Sequence, residues 1–206
     1  MSQVERIRSR EYLTAVKARR TIYAIQNHSP LSQEEIEEIV GEALLHTPSA
    51  FNSQSARIVL LFGQEHLQLW DLTKEALRPV VPEDQFSKTE DKLKSFANGY
   101  GTVLFFEDQS VIEAMQAQYE LYKNQFPVWS EQSNGMLQHV IWTALRLEGL
   151  GASLQHYNPL IDDEVRRTWN IPAEWSLKAQ MPFGAIGKDA TTKEFKPLDL
   201  RLKVFR

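Results

Sequence analysis

The run GLGASLQHYNP at residues 149–159 decides between two fold classes. One reading has Gly149-Leu150-Gly151 opening a dinucleotide-binding fingerprint, which needs a third glycine at position 154 and a helix starting there. Position 154 is Leu, and the helix pattern lies before the glycines rather than after them. Met136, Leu137, Val140, Ile141, Ala144, Leu145 and Leu147 recur at helical spacing within 130–150. The glycines therefore stop a helix. Residues 152–157 then read as a strand, and Asn158-Pro159 turns the chain.

Working outward, the apolar stripe on 130–150 is wide, so that helix expects cover on more than one side. A short helix over 162–169 ends at Ile171-Pro172, and 177–186 reads as a strand carrying Pro182 and Gly184. Upstream, Val4, Ile7, Tyr12, Leu13 and Val16 suggest a helix over 2–18. Pro30 then blocks helix, and Ser32 with Glu35 forms a capping box ahead of the stripe Ile36, Ile39, Val40, Ala43, Leu44. Residues 46–55 are a loop by composition. RIVLLF at 57–62 and the run at 103–106 read as buried strands, and 65–77, 83–97 and 110–126 as helices, the last ended by Pro127. Leu200, Leu202 and Val204 alternate, which suggests one more strand in the tail. The pattern predicts a single α+β domain over 1–206, with four or five strands among six or more helices.

With 42% hydrophobic and 24% charged residues in 206, the chain can bury a core and does not read as disordered. It has no cysteine, which excludes disulfides, thiolate metal sites and cysteine nucleophiles. No apolar run approaches the roughly 20 residues that span a bilayer, and MSQVERIRSREYL lacks a signal-peptide apolar segment. The reading is a cytoplasmic soluble protein with no membrane partner. A net charge of −4 argues against a nucleic-acid partner. The charge is uneven, with net +4 over residues 1–26 and +3 over 188–206 against −11 between. Two basic ends either converge on an anionic ligand such as a phosphate or simply solvate the termini.

His28, His46, His66, His139 and His156 are scattered without ligand spacing, so no metal site is expected. Neither a GxSxG elbow nor a phosphate loop occurs. Two segments stand out. Arg19-Arg20-Thr21 offers two guanidinium forks and a hydroxyl, which suit a phosphate monoester. Residues 48–54 form an amide-rich loop, whose side chains donate and accept toward a heterocycle of alternating carbonyl and N–H groups. Taken singly, each reads as a helix terminus or an ordinary turn.

Together and in order, RRTIY at 19–23, TPSAFNSQ at 47–54, EGLGASLQHYNPL at 148–160 and KEFKPL at 193–198 resemble the FMN-dependent nitroreductase family. GLGASLQHYNPLIDDEVRRTWNIP followed by AQMPFG is most similar to its small subgroup named for a fatty-acid repression mutant. The resemblance spans nearly the whole chain. It implies a mostly antiparallel sheet flanked by helices in an intertwined homodimer, with 188–206 as an extension over the partner subunit.

FMN is implied at the dimer interface. Arg19, Arg20 and Thr21 match its phosphate-side positions, and Ser49, Asn52 and Gln54 match a loop reaching it from the partner. Gln155, His156 and Tyr157 match the strand end along the ring, and Lys193 the first base of a late K-x-R motif. There are two departures. Tyr23 stands where many relatives carry a cation against the ring, and Phe195 replaces the motif's Arg, leaving Lys196 as a substitute. The implied chemistry is ping-pong transfer from NADH or NADPH to a small electron-poor acceptor, a nitroaromatic or quinone, with no side chain as acid, base or nucleophile. Phe126 and Trp129 are candidates for the acceptor pocket, or ordinary core aromatics. Tyr23 motivates an alternative, a flavin-binding regulatory or stress-response protein with little turnover.

Overall fold

The computed structural model describes residues 9–206. Helix α1 is Ser9–Ala18, and the earlier part of the helix expected over 2–18 lies outside the described residues. The order continues β1 (Ile25–Gln26), α2 (Gln33–His46), β2 (Ala56–Phe62), α3 (Gly63–Leu77), α4 (Glu83–Ala97), β3 (Gly101–Asp108), α5 (Gln109–Gln118), α6 (Phe126–Leu147), β4 (Leu150–Ala152), α7 (Asp162–Thr168) and β5 (Trp175–Ile186). All the ladders are antiparallel, in the order β1-β5-β3-β2 with β4 also on β5.

Strand β3 is buried on every residue because helices cover both faces of the sheet. Val103 and Phe105 face one core with Ile36, Val40, Leu137, Ile141 and Leu145 of α2 and α6. Leu104 and Phe106 face the other, with Leu69, Trp70, Leu93 and Phe96 of α3 and α4. On β5, Leu177 belongs to the second core and Ala179 to the first, two residues apart yet on opposite faces. The register slips there, with Phe105 opposite Ala179 and Phe106 opposite Leu177. The bulged residue is Lys178, whose Nζ pairs with Glu131 Oε1 of α6 at 2.7 Å.

The capping box forms as expected: Glu35 N donates to Ser32 Oγ at 3.2 Å and Ser32 N to Glu35 Oε2 at 2.7 Å. Four expectations need correction. The helix expected over 110–126 stops at Gln118. Pro127 opens α6 rather than closing its predecessor, because a first-turn residue needs no intrahelical N–H partner. The strand expected over 152–157 forms earlier, as β4 over Leu150–Ala152, and Gln155 adds only a lone bridge to Gln180. The tail adds no strand within the chain. A turn with Leu202 N donating to Leu198 O at 2.9 Å interrupts the alternation, and Leu200, Leu202, Val204 and Phe205 stay exposed.

Candidate functional site

The glycines of 149–151 build the first part of the site. Gly149, at φ +82°, ends α6, a left-handed position that favours glycine. At Gly151, a Cβ would sit 2.8 Å from an Ile22 methyl. Its absence lets residues 21–22 dock on β4, with Thr21 bridging Ala152 and Ile22 N donating to Ala152 O at 2.9 Å. The chain just after α1 is thereby fixed, and Arg146 Nε of α6 donates to the last carbonyl of α1, Ala18 O, at 3.1 Å.

From this platform Arg19, Arg20, Thr21 and Tyr23 line a cavity of about 440 Å³ whose far wall is Lys188, Asp189, Thr191 and Lys193. Gly187 N donates to Ala24 O at 2.7 Å and Arg20 Nη2 to Thr191 O at 2.7 Å, which moors the segment after β5 against the segment after α1. The two basic ends thus converge: four cations face a single carboxylate. Arg19 lies 4.4 Å over the Trp142 ring, and its Nε is buried with no hydrogen-bond partner among the described residues. Burial, and then the Arg20 charge beside it, push the Arg19 guanidinium below its ordinary pKa. An anion in the cavity would relieve both. Lys196 is exposed and does not line this cavity. Lys188 and Thr191 were missed because nothing in their local pattern separates them from a solvated tail.

Ser49, Asn52 and Gln54 lie elsewhere on the chain. The loop is closed on itself: Asn52 N donates to Ser49 O at 3.0 Å and Gln54 N to Ser49 Oγ at 2.9 Å. Phe51, Asn52 and Gln54 have φ of +56°, +53° and +51°, a left-handed conformation costly for side chains of this size. Arg57 holds the exit, its Nη1 donating to Gln54 O at 2.8 Å and its Nη2 to Asp108 Oδ2 at 2.9 Å. Ser49 and Gln54 line a second cavity, of about 210 Å³, with Thr47, Arg57 and Ser133.

Phe51 joins the two expected pocket aromatics, with ring centroids 5.5 Å from Phe126 and 6.1 Å from Trp129, the latter stacked. Tyr119 and Tyr122 complete the group at 4.7 and 5.9 Å from Phe51. Phe126 itself is buried, Trp129 is half-buried, and Phe51 and Tyr122 are exposed.

The strand end 155–157 divides three ways. Gln155 is buried, with Nε2 donating to Ser153 Oγ at 3.0 Å. His156 is exposed. The Tyr157 side chain packs into the second core, where burial lifts its phenol to about 12, and its backbone N donates to Gln180 Oε1 at 2.8 Å. Of the three side chains only that of His156 is exposed. Among the described residues no group of three or more His, Asp or Glu side chains is placed to hold a metal, and no helix is long and apolar enough to cross a membrane.

A sheet covered on both faces, with a cationic cavity where the segments after α1 and β5 meet, defines a class. Residues 16–185 match the model of the Nitroreductase family, and the chain belongs to that family. Within it, the chain is 34% identical to each of two Saccharomyces cerevisiae proteins. One is HBN1, over 93% of this chain and 96% of that protein, and the other is nitroreductase FRM2, over 84% and 86%. Among solved structures, nitroreductase CinD from Lactococcus lactis in complex with chloramphenicol superposes with a TM-score of 0.87 at 40% identity, covering 95% of this chain and all of that one. The complex of CinD with 4-nitrophenol gives 0.84 at 42% identity over the same shares.

Proposed function

We propose that the protein is an FMN-dependent NAD(P)H oxidoreductase that reduces nitroaromatic or quinone-like acceptors, working as a homodimer. The observation that carries this reading is the cation-lined cavity. A dianionic phosphate fits a site that sets four cations against one carboxylate. When bound, FMN supplies the redox chemistry, accepting hydride from NADH or NADPH and passing electrons to the acceptor in alternate half-reactions. Arg19, Arg20, Thr21 and Lys193 hold the phosphate, Arg19 kept in place by the Trp142 ring beneath it. Asn52 and Gln54, from the partner's copy of the loop, address the ring's polar edge, and His156 lies at its side. Phe51 and Trp129 present a flat face on which an electron-poor acceptor stacks. CinD, which forms complexes with chloramphenicol and 4-nitrophenol, both nitroaromatics, supports that acceptor class. The exposed apolar tail, 75% accessible at Leu200 and 91% at Phe205, supports an extension over a second subunit.

The pure protein is expected to be yellow, to release FMN on denaturation, and to oxidise NAD(P)H with a nitroaromatic, giving parallel double-reciprocal lines. A colourless protein that FMN does not reconstitute would overturn the reading. Tyr23 favours one alternative. It lines the cavity, 56% exposed, where a cation would stabilise a reduced ring, and a phenol offers only a hydrogen bond. Flavin binding without turnover would select a regulatory or stress-response role instead.

A further inference from the structure

Glu107, at the end of β3, is 0% exposed, yet no cation pairs with it among the described residues. The two cations on the strands beside it are taken: Lys178 of β5 pairs with Glu131 of α6 at 2.7 Å, and Arg57 of β2 with Asp108 of β3 at 2.9 Å. Burial pushes the Glu107 carboxyl up, against the hydrogen bonds of Ser55 and Asn134. A carboxyl so placed is costly to bury unless its oxygens are used, and both are. Ser55 Oγ lies 2.6 Å from Oε2, and Asn134 Nδ2 donates to Oε1 at 2.8 Å.

These partners sit on the elements that matter to the ring-side loop. Ser55 directly follows Gln54, and its carbonyl accepts from Asp108 N at 2.9 Å, so β3 holds both its side chain and its backbone. Asn134 is a buried residue of α6, in the turn after Trp129. Its Nδ2 also reaches Phe106 O at 3.2 Å, and its Oδ1 accepts from Gln138 Nε2 at 2.7 Å. An unbroken polar chain, Ser55 to Glu107 to Asn134 to Gln138, thus runs from the foot of the loop to the helix that carries its aromatic partner. Nothing in this chain lines the cationic cavity.

We propose that Glu107 is a positioning residue for loop 47–54. By tying Ser55, which lines the loop-side cavity, to α6 it sets the attitude in which Asn52, Gln54 and Phe51 are presented, so that flavin binding depends on a carboxyl that lines neither cavity. This rests on the flavin reading above. Glu107→Gln keeps one donor and one acceptor in the same volume, whereas Glu107→Leu removes both bonds and Ser55→Ala removes only the loop-side one.

The test measures FMN and riboflavin affinity by fluorescence quenching, with visible circular dichroism of the bound flavin as a report on ring geometry. Glu107→Leu and Ser55→Ala are expected to weaken FMN and riboflavin equally, each by about tenfold, and to alter the dichroism, while Glu107→Gln stays within about threefold of the parent. Should Glu107→Leu fail to fold, Ser55→Ala carries the test. Parent-like affinity and dichroism in Ser55→Ala would overturn the proposal, as would a loss confined to FMN, or equal losses in Glu107→Gln and Glu107→Leu. A parent protein that binds no flavin would overturn the functional reading itself, a distinguishable result.

Discussion

The cationic cavity and the aromatic loop present their side chains by opposite means. Residues 19–23 lie on regular structure: a helix end capped by Arg146, a bridge to β4, and room made by Gly151. Loop 47–54 has no strand to lean on. It adopts three left-handed non-glycine conformations and is held by its own hydrogen bonds, by aromatic contacts, and by Arg57 and Glu107 behind it. The first region handles charge, which needs cations brought close and little else. In the proposed function the second takes a flat, polar-edged ring, which needs orientation, and orientation consumes interactions among the protein's own residues.

The sharpest way to separate them is charge reversal at Arg19. Arg19→Glu is expected to cost FMN about 3 kcal/mol, roughly a hundredfold in affinity, because it removes a charge-assisted contact and adds repulsion. Riboflavin, lacking the phosphate, should bind as before. Equal losses for both ligands would show that the cavity is structural.

On the other side, Phe51→Gly removes the stacking surface while easing the positive φ. It is expected to lower kcat/KM for 4-nitrophenol about tenfold and leave the ratio of FMN to riboflavin affinity unchanged. A change in that ratio would mean the two regions are not independent.

A smaller effect should leave both regions alone. His66 lies behind the sheet, 2% exposed, with Nε2 3.1 Å from Ala97 O and Nδ1 2.8 Å from Thr102 Oγ1. A carbonyl only accepts, so Nε2 carries the proton and Nδ1 accepts from the threonine, whose oxygen takes Trp70 Nε1–H at 3.2 Å. Burial holds this imidazole below its ordinary 6.5. The unfolded chain therefore binds a proton more readily, and this contribution to stability is full above pH 6.5 and falls as the pH drops toward the folded value. Thermal melts at pH 7.5 and 5.5 are expected to show a loss of about 1 kcal/mol that His66→Gln reduces, with ligand selectivity unmoved. An undiminished loss in His66→Gln would assign the acid sensitivity elsewhere.

What was legible in the sequence follows the same division. The buried strand at 103–106, the capping box at Ser32 and the glycine stop at 149 rest on local chemistry, and each could be read from a few residues. Arg19-Arg20-Thr21 was visible as a phosphate-type cluster because its donors are consecutive. On the opposite wall Lys193 was named through the resemblance, whereas Lys188 and Thr191 were not, since only the chain's course after β5 brings them across. The strain at Phe51 was hidden too: nothing in TPSAFNSQ signals that a phenylalanine takes a conformation suited to glycine. Pro127 was misread because proline both ends and begins helices, and which it does depends on the chain that follows. Glu107 falls just past the strand read at 103–106, and its polar partner on α6 lies 27 residues on.

On one chain the two regions line separate cavities, and in the proposed function each flavin is held by the cationic cavity of one subunit and the loop of the other. Arg20→Glu and Asn52→Leu, each abolishing flavin binding as a homodimer, test this when differently tagged copies are co-expressed and the heterodimer is isolated. One of its two sites then draws Arg20 and Asn52 from unaltered copies, while the other carries both defects. The heterodimer is expected to hold about half the FMN of the unaltered dimer, one site in two. If both residues served from the same chain, every site would keep one defect, and a heterodimer without FMN would contradict the shared site.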